Sequence, residues 1–186
     1  MNAIIDEIFD LFARYGSSGY GEDLSLEQHM LQAAALAESL GAPGPVVVAA
    51  LLHDIGYFLH AAAGAVVDAG QDFEHEALGA AWLSRAFDEA ITAPIALHVD
   101  AKRYLCAIEP GYHDQLSEAS RISLVVQGGV MSLDEAAAFA TNPAFETALL
   151  LRRCDDQGKD ASLPTHGLER YRPLLATLAR EADPRR

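Results

Sequence analysis

Apolar side chains recur every three to four residues along most of the chain, which is the period of amphipathic helices. Ile4, Ile5, Ile8, Phe9, Leu11 and Phe12 repeat in this way and predict a helix over residues 3 to 15. Residues 16 to 21 read as a loop. Ser25-Leu26-Glu27-Gln28 has the form of a capping box, with a hydroxyl at the N-cap and Gln at N3, and opens a helix through Leu40. Gly41-Ala42-Pro43-Gly44-Pro45 is a turn, and a central helix follows to about His60. The small, Gly-containing stretch from Ala61 to Gln71 reads as a mobile loop. Helices are expected over Phe73 to Phe87 and Ile91 to Leu105, then a loop over Pro110 to His113. A short helix is expected over Ser120 to Val130, ending at Gly128-Gly129. Ser132-Leu133-Asp134-Glu135 is a second capping box. Asn142-Pro143 starts a helix through Cys154, with proline in its tolerated early position. Residues 168 to 181 close the chain as a helix, and Pro184-Arg185-Arg186 is expected to fray. No segment alternates with period two, so no significant sheet is expected. The pattern is that of one all-α bundle over residues 1–186, with a core from about residue 20 to 160 and flanking N- and C-terminal helices.

One stretch breaks the simple division into apolar core and polar surface. His53 and Asp54 follow the apolar run Val46 to Leu52 and precede Phe58-Leu59. An imidazole and a carboxylate in such a segment are costly unless compensated. A metal ion compensates both, taking a neutral nitrogen from one and an anionic oxygen from the other. On a helix each residue turns by about 100°, and both side chains are expected to lean into one interior cavity.

Composition narrows the classes of partner. The 186 residues carry a net charge of −14, from 13 basic and 27 acidic side chains. Phosphate backbones and anionic membranes repel such a chain, so neither nucleic acid nor membrane is an expected partner. Cys106 and Cys154 lie far apart without CxxC spacing, which suits a reducing, cytoplasmic setting. The start of the chain lacks a basic segment followed by an apolar one, so no signal peptide is expected. Charges and histidines interrupt the apolar runs before the length of a membrane span is reached.

Seven histidines are present, and four of them, His29, His53, His75 and His98, fall one per expected helix at intervals of 24, 22 and 23 residues. Helical hairpins that each aim one imidazole at a shared centre give such spacing. Asp54 and the pair Asp155-Asp156 add carboxylates. Four imidazoles and two carboxylates exceed the needs of one tetrahedral zinc and suit two metal ions with a bridging carboxylate. Mixed nitrogen and oxygen ligation favours iron or manganese while admitting zinc. His60, His113 and His166 lie near loops and outside this spacing, and are expected to be ordinary core or surface residues.

His29, His53-Asp54 and Asp155 resemble the H…HD…D signature of HD-domain metalloenzymes, and His75 and His98 narrow the likeness to di-metal members. Gly21-Glu22, Gln28 to Gln32, His75-Glu76 with Gly79-Ala80, Leu116-Ser117 with Ala119-Ser120, Gln127-Gly128-Gly129 and Arg152-Arg153 follow in order. Together these resemble the mixed-valent di-iron HD oxygenases that degrade organophosphonates, over about Tyr20 to Lys159. The resemblance implies two irons, Fe(II)/Fe(III): one on His29, His53, Asp54 and Asp155, the other on His75 and His98, with Asp54 bridging. Asp156 is the alternative to Asp155. It implies Lys102 and Tyr20 as catalytic residues, and Lys102, Ser120, Ser123 and Arg152 as phosphonate-holding positions. Lys102 stands one turn after His98, and Arg152 one turn before Asp155. Glu22 matches a carboxylate that receives a cationic amine, and Tyr20 a tyrosine that occupies iron until substrate displaces it. Two departures stand out. Tyr20 adjoins Gly21-Glu22, where the family usually has one intervening residue. Tyr57 stands where related enzymes often carry a histidine that contacts the phosphonate.

The expected activity is O2-dependent cleavage of the C–P bond of a 1-hydroxy-2-aminoethylphosphonate-type substrate, N-methylated or not, to a carboxylate and phosphate. A separate hydroxylase that makes this substrate is the expected functional partner. The competing readings are an HD phosphohydrolase acting on a nucleotide or small phosphate ester, and a non-enzymatic metal-binding sensor.

Overall fold

The structure, a computed structural model, describes residues 3–19, 22–65 and 72–180. The expected fraying of Pro184 to Arg186 and most of the expected loop before Asp72 fall outside them. Among the described residues there is no strand, only an isolated bridge between Gly19 and Ser25.

The first helix, α1 (Ala3–Tyr15), buries Ile4, Ile5, Ile8, Leu11 and Phe12 and leaves Asp6, Glu7 and Asp10 outside. α2 (Leu26–Ser39) begins at a complete capping box: Gln28 N–H donates to Ser25 Oγ at 3.2 Å, and Ser25 N–H to Gln28 Oε1 at 3.0 Å. These bonds satisfy donors that a helix start otherwise exposes. The expected central helix is two helices, α3 (Gly44–Leu52) and α4 (Ile55–Ala62), interrupted at His53-Asp54. From Gly44 to Ala62 the stretch reaches, by length and composition, what a membrane span needs, contrary to the expectation from its charges; most of it is core here. α5 (His75–Leu83) starts at His75, behind Glu74 in the left-handed region at φ 52°.

α6 (Glu89–Ile108) is the longest helix of the described residues and runs through the middle of the bundle against α3, α5 and α10 (Phe145–Gln157). The expected loop over Pro110 to His113 contains the start of a single helical turn, α7 (Tyr112–Gln115). α8 (Glu118–Val126) is capped by Ser117, and α9 (Leu133–Phe139) by the second capping box. The closing segment is a 3-10 turn, Leu168–Tyr171, running into α11 (Arg172–Leu178). Leu51, Leu52, Ile55, Phe58, Leu83, Ile95 and Leu151 meet in the largest core cluster.

One crossing in this core admits no side chain. A Cβ on Gly56 of α4 would lie 2.0 Å from the His75 carbonyl oxygen, and one on Gly79 of α5 would lie 3.2 Å from Gly56 N. The absence of side chains at both glycines lets α4 and α5 touch backbone to backbone, and this sets the position of His75.

Candidate metal centre and cavity

Neighbouring residues on an uninterrupted helix diverge by about 100°, so only one of His53 and Asp54 would face a given point squarely. The interruption resolves this. His53 keeps helical angles at φ −58° and ψ −34°, while Asp54 turns to φ −100° and ψ 11°. Both side chains then face one centre, with His53 Nε2 3.4 Å from Asp54 Oδ2.

Three further helices supply the other histidines. His29 of α2 brings its Nε2 to 3.1 Å from His53 Nε2 and 3.6 Å from Asp54 Oδ2. His75 of α5 and His98 of α6 bring their Nε2 atoms to 3.2 Å from each other. These lie 3.3 and 3.7 Å from the other oxygen of Asp54, Oδ1. Asp54 thus divides its two oxygens between two imidazole pairs. Asp155 of α10 joins the first pair, its Oδ1 3.3 Å from His29 Nε2 and 3.9 Å from His53 Nε2. Asp156 turns away from the histidines toward Tyr112 and Arg152. Two clusters, His29–His53–Asp54 and Asp54–His75–His98, each have donor atoms close enough to hold one cation.

The hydrogen bonds behind the rings test whether a metal fits. Nδ1 of His29, His53 and His98 donates to the carbonyls of Gly158, Ala50 and Ile95, at 2.8, 2.9 and 2.7 Å. A carbonyl only accepts, so Nδ1 of each ring carries a proton, and whenever such a ring is neutral a lone pair on Nε2 faces inward. With both rings neutral, neither Nε2 of His29 and His53 has a proton to give the other, and two lone pairs would face each other across 3.1 Å. A cation between them turns that repulsion into ligation, and backbone-anchored imidazoles are typical of metal ligands. The donor set fits a metal centre.

Electrostatics point the same way. Burial works to protonate Asp54, but the positive charge that neighbouring imidazoles carry when protonated, His53 first and then His75 and His29, overcomes it and holds the carboxyl far below the usual range. Asp155 is likewise held low, burial being outweighed by the Arg152 guanidinium first of all. Burial pushes His53 and His98 down, so both imidazoles are neutral at ordinary pH despite the nearby carboxylates.

A cavity of about 540 Å³ opens beside Asp54, His75, His98 and Asp155. Its cationic wall is built around α8. Lys102, 2% exposed, donates to Ser123 Oγ at 2.8 Å and Gln127 Oε1 at 2.5 Å. Burial, with Arg152 and Lys159 nearby, brings the Lys102 ammonium down to about 7. Lys159 donates to Ser120 Oγ at 2.8 Å and lies 3.2 Å from Glu22 Oε1 and 3.9 Å from Asp155 Oδ1. Ser120 and Ser123 therefore each carry one ammonium into the cavity wall. Glu22 is a cavity residue too, accepting from Ser117 Oγ at 2.5 Å. Arg152 reaches the wall, but its guanidinium is occupied by Asp155, Asp156 and Tyr112. Tyr57 lines the cavity with its ring 4.5 Å from that of His75, and burial raises its phenol. Tyr20 lies outside the described residues.

Lys159 and Gln127 escaped the sequence reading as site residues. Each had a faint signal, standing four residues after Asp155 and Ser123 respectively. His60 stacks on Phe73 at 4.1 Å between centroids, and His113 and His166 are exposed.

The chain is similar to known proteins. The HD domain family model matches residues 26–124. A hydroxymethylphosphonate dioxygenase of Gimesia maris is 42% identical over 170 residues, covering 90% of this chain and 84% of that protein. A [1-hydroxy-2-(trimethylamino)ethyl]phosphonate dioxygenase (glycine-betaine-forming) of Leisingera caerulea is 40% identical over 173 residues, covering 92% and 88%.

Proposed function

The chain belongs to the HD-domain phosphonate dioxygenases, a family of O2-dependent oxygenases, and from that premise we propose that it cleaves the C–P bond of a small 1-hydroxyphosphonate at a di-iron centre. The reaction balances with one O2 per substrate: R–CH(OH)–PO3H2 and O2 give R–COOH and phosphoric acid. No further reductant is consumed. The observation that carries the reading is the division of Asp54, one oxygen toward His29 and His53, the other toward His75 and His98.

His29, His53, Asp54 and Asp155 would hold one iron and His75 and His98, with Asp54, the other. When bound, an Fe(II)/Fe(III) pair supplies the redox chemistry that activates dioxygen and the substrate hydroxyl. The protein's own groups do the rest. Lys102 and Lys159, with Ser120 and Ser123, bind the phosphonate dianion through charge-assisted hydrogen bonds. Gln127 orients Lys102 from behind. Tyr57 presents a neutral hydroxyl where a histidine could present a charge. Glu22, across from the same serines, meets a cationic substituent on the substrate by exchanging its contact with Lys159. Phe58 and Val99 exclude water from the rest of the wall.

The substrate class includes hydroxymethylphosphonate and 1-hydroxy-2-aminoethylphosphonates with or without N-methyl groups. A hydroxylation at the carbon bearing phosphorus must supply it. The test is to load the protein with iron under air and offer these phosphonates, following phosphate release and oxygen uptake together. Equal molar amounts of each are expected from at least one substrate. Hydrolysis of a phosphate ester without oxygen uptake, and no turnover of any phosphonate, would replace the oxygenase by a phosphohydrolase.

A further inference from the structure

Arg152 borders a cavity suited to an anion, yet its polar edges are committed to the protein. Nη1 lies 2.7 Å from Asp155 Oδ2, Nη2 meets Asp156, and Nε donates to the Tyr112 hydroxyl at 3.2 Å. Tyr112 closes the ring by donating its own hydroxyl proton to Asp156. Arg152 and Tyr112 are both buried, at 3% and 5% exposure.

One carboxylate would balance one guanidinium, but Arg152 has two. Asp155 is the one of the two that approaches His29 and His53, whereas Asp156 and Tyr112 meet the other nitrogens of the arginine and each other. The effect on Asp155 is specific. With Oδ2 engaged by Arg152, the oxygen left toward His29 and His53 is Oδ1. An arginine held by Asp155 alone could swing toward an incoming phosphonate and take that carboxylate with it. The second carboxylate and the phenol oppose this, and they share the guanidinium charge, so less of it is drawn onto Asp155.

We propose that Tyr112 and Asp156 are positioning residues that clamp Arg152 against Asp155, so that this carboxylate offers a single, electron-rich oxygen to the cation between His29 and His53. The inference rests on the metal-centre part of the proposed function and is independent of the substrate. It assigns Arg152 to Asp155 rather than to the phosphonate.

The test uses the full chain loaded with Co(II), whose visible absorption reports its ligands. Tyr112→Phe and Asp156→Asn keep shape and remove the hydroxyl or the charge. Each should weaken one of two cobalt equivalents by about ten- to a hundredfold in competition with a chelator and alter its absorption spectrum, leaving the other equivalent unchanged. Arg153→Gln, beside the clamp on the exposed face and paired with Glu109 at 2.6 Å, should change neither. If both clamp variants bind two cobalt ions with unaltered affinity and spectrum, the clamp is only structural and the proposal falls, whatever happens to the melting temperature. Should Asp156→Asn fail to fold, Tyr112→Phe decides alone. A wild-type chain that binds no cobalt would instead overturn the metal centre itself.

Discussion

Gly56→Ala is a small substitution with a directed effect. Its Cβ would stand 2.0 Å from the His75 carbonyl oxygen, whereas ordinary contacts begin near 3.4 Å, so the start of α5 must retreat by about 1.4 Å. The obstructing atom is backbone and cannot rotate out of the way. Overpacking of this kind costs about 1–3 kcal/mol, offset by about 1 kcal/mol from the better helix propensity of alanine. This packing loss by itself lowers the melting temperature by several degrees at most for a chain of this size. The effect on the centre should be larger. His75 is the first residue of α5, and its Nε2 lies only 3.3 Å from Asp54 Oδ1 and 3.2 Å from His98 Nε2. A displacement above 1 Å takes it out of ligand distance, while His29, His53 and Asp155, on or beside other helices, keep their places. Metal content by mass spectrometry, paired with thermal melting, should show about one ion per chain in place of two in a protein that still melts cooperatively. Gly79→Ala, whose Cβ meets Gly56 N at 3.2 Å, should give a milder loss. Two tightly held metals and an unshifted melt in Gly56→Ala would refute the reasoning.

Other outcomes follow from the same geometry. Asp54→Asn should abolish binding of both metals, while His98→Ala should cost chiefly one, as metal titration would reveal. Stripping both metals with a chelator should lower the melting temperature by about 10 to 20 degrees, since each cation at a hundred times its Kd adds about 2.7 kcal/mol to the native state. Lys102→Met should raise KM for a phosphonate by about 10- to 100-fold, the worth of a charge-assisted hydrogen bond. The same variant should be more stable than wild type near neutral pH. The unfolded lysine titrates at 10.5 and the buried one at about 7, so wild type carries its full burial penalty below pH 7. That penalty disappears as pH rises toward 10.5. Denaturant melts at pH 7 and 10 should show the advantage of Lys102→Met shrinking, and an advantage that grows with pH would contradict the assignment.

Much of the bundle was legible because its signals are local. Both capping boxes, at Ser25 and Ser132, occur where the residue pattern puts them, and the spaced histidines each fall on or next to a different helix. What escaped depends on contacts distant in sequence or on a backbone deviation within an apolar run. Nothing in the side-chain pattern from Val46 to Phe58 announces an interruption, since its apolar residues suit one helix as well as two. The choice between Asp155 and Asp156 was open because adjacent residues have equal claims until their neighbours are known; Arg152 and Tyr112 draw the second one away. Arg152 carries the charge expected of a phosphonate contact, but sequence spacing gives no sign that Asp156 and Tyr112 already occupy it. Lys159 was only faintly marked because it lies just past the end of α10, where a four-residue spacing from Asp155 says less about which way a side chain points.

The two-residue interruption between α3 and α4 also limits how this centre could be rebuilt elsewhere. Grafting the His-Asp dipeptide onto a straight designed rod would send one of the two toward a neighbouring flank, whatever the surrounding side chains. An engineer copying the site would have to transplant the bend before the ligands, and a search for undiscovered relatives would do well to look for that kinked joint as well as the two letters that mark it.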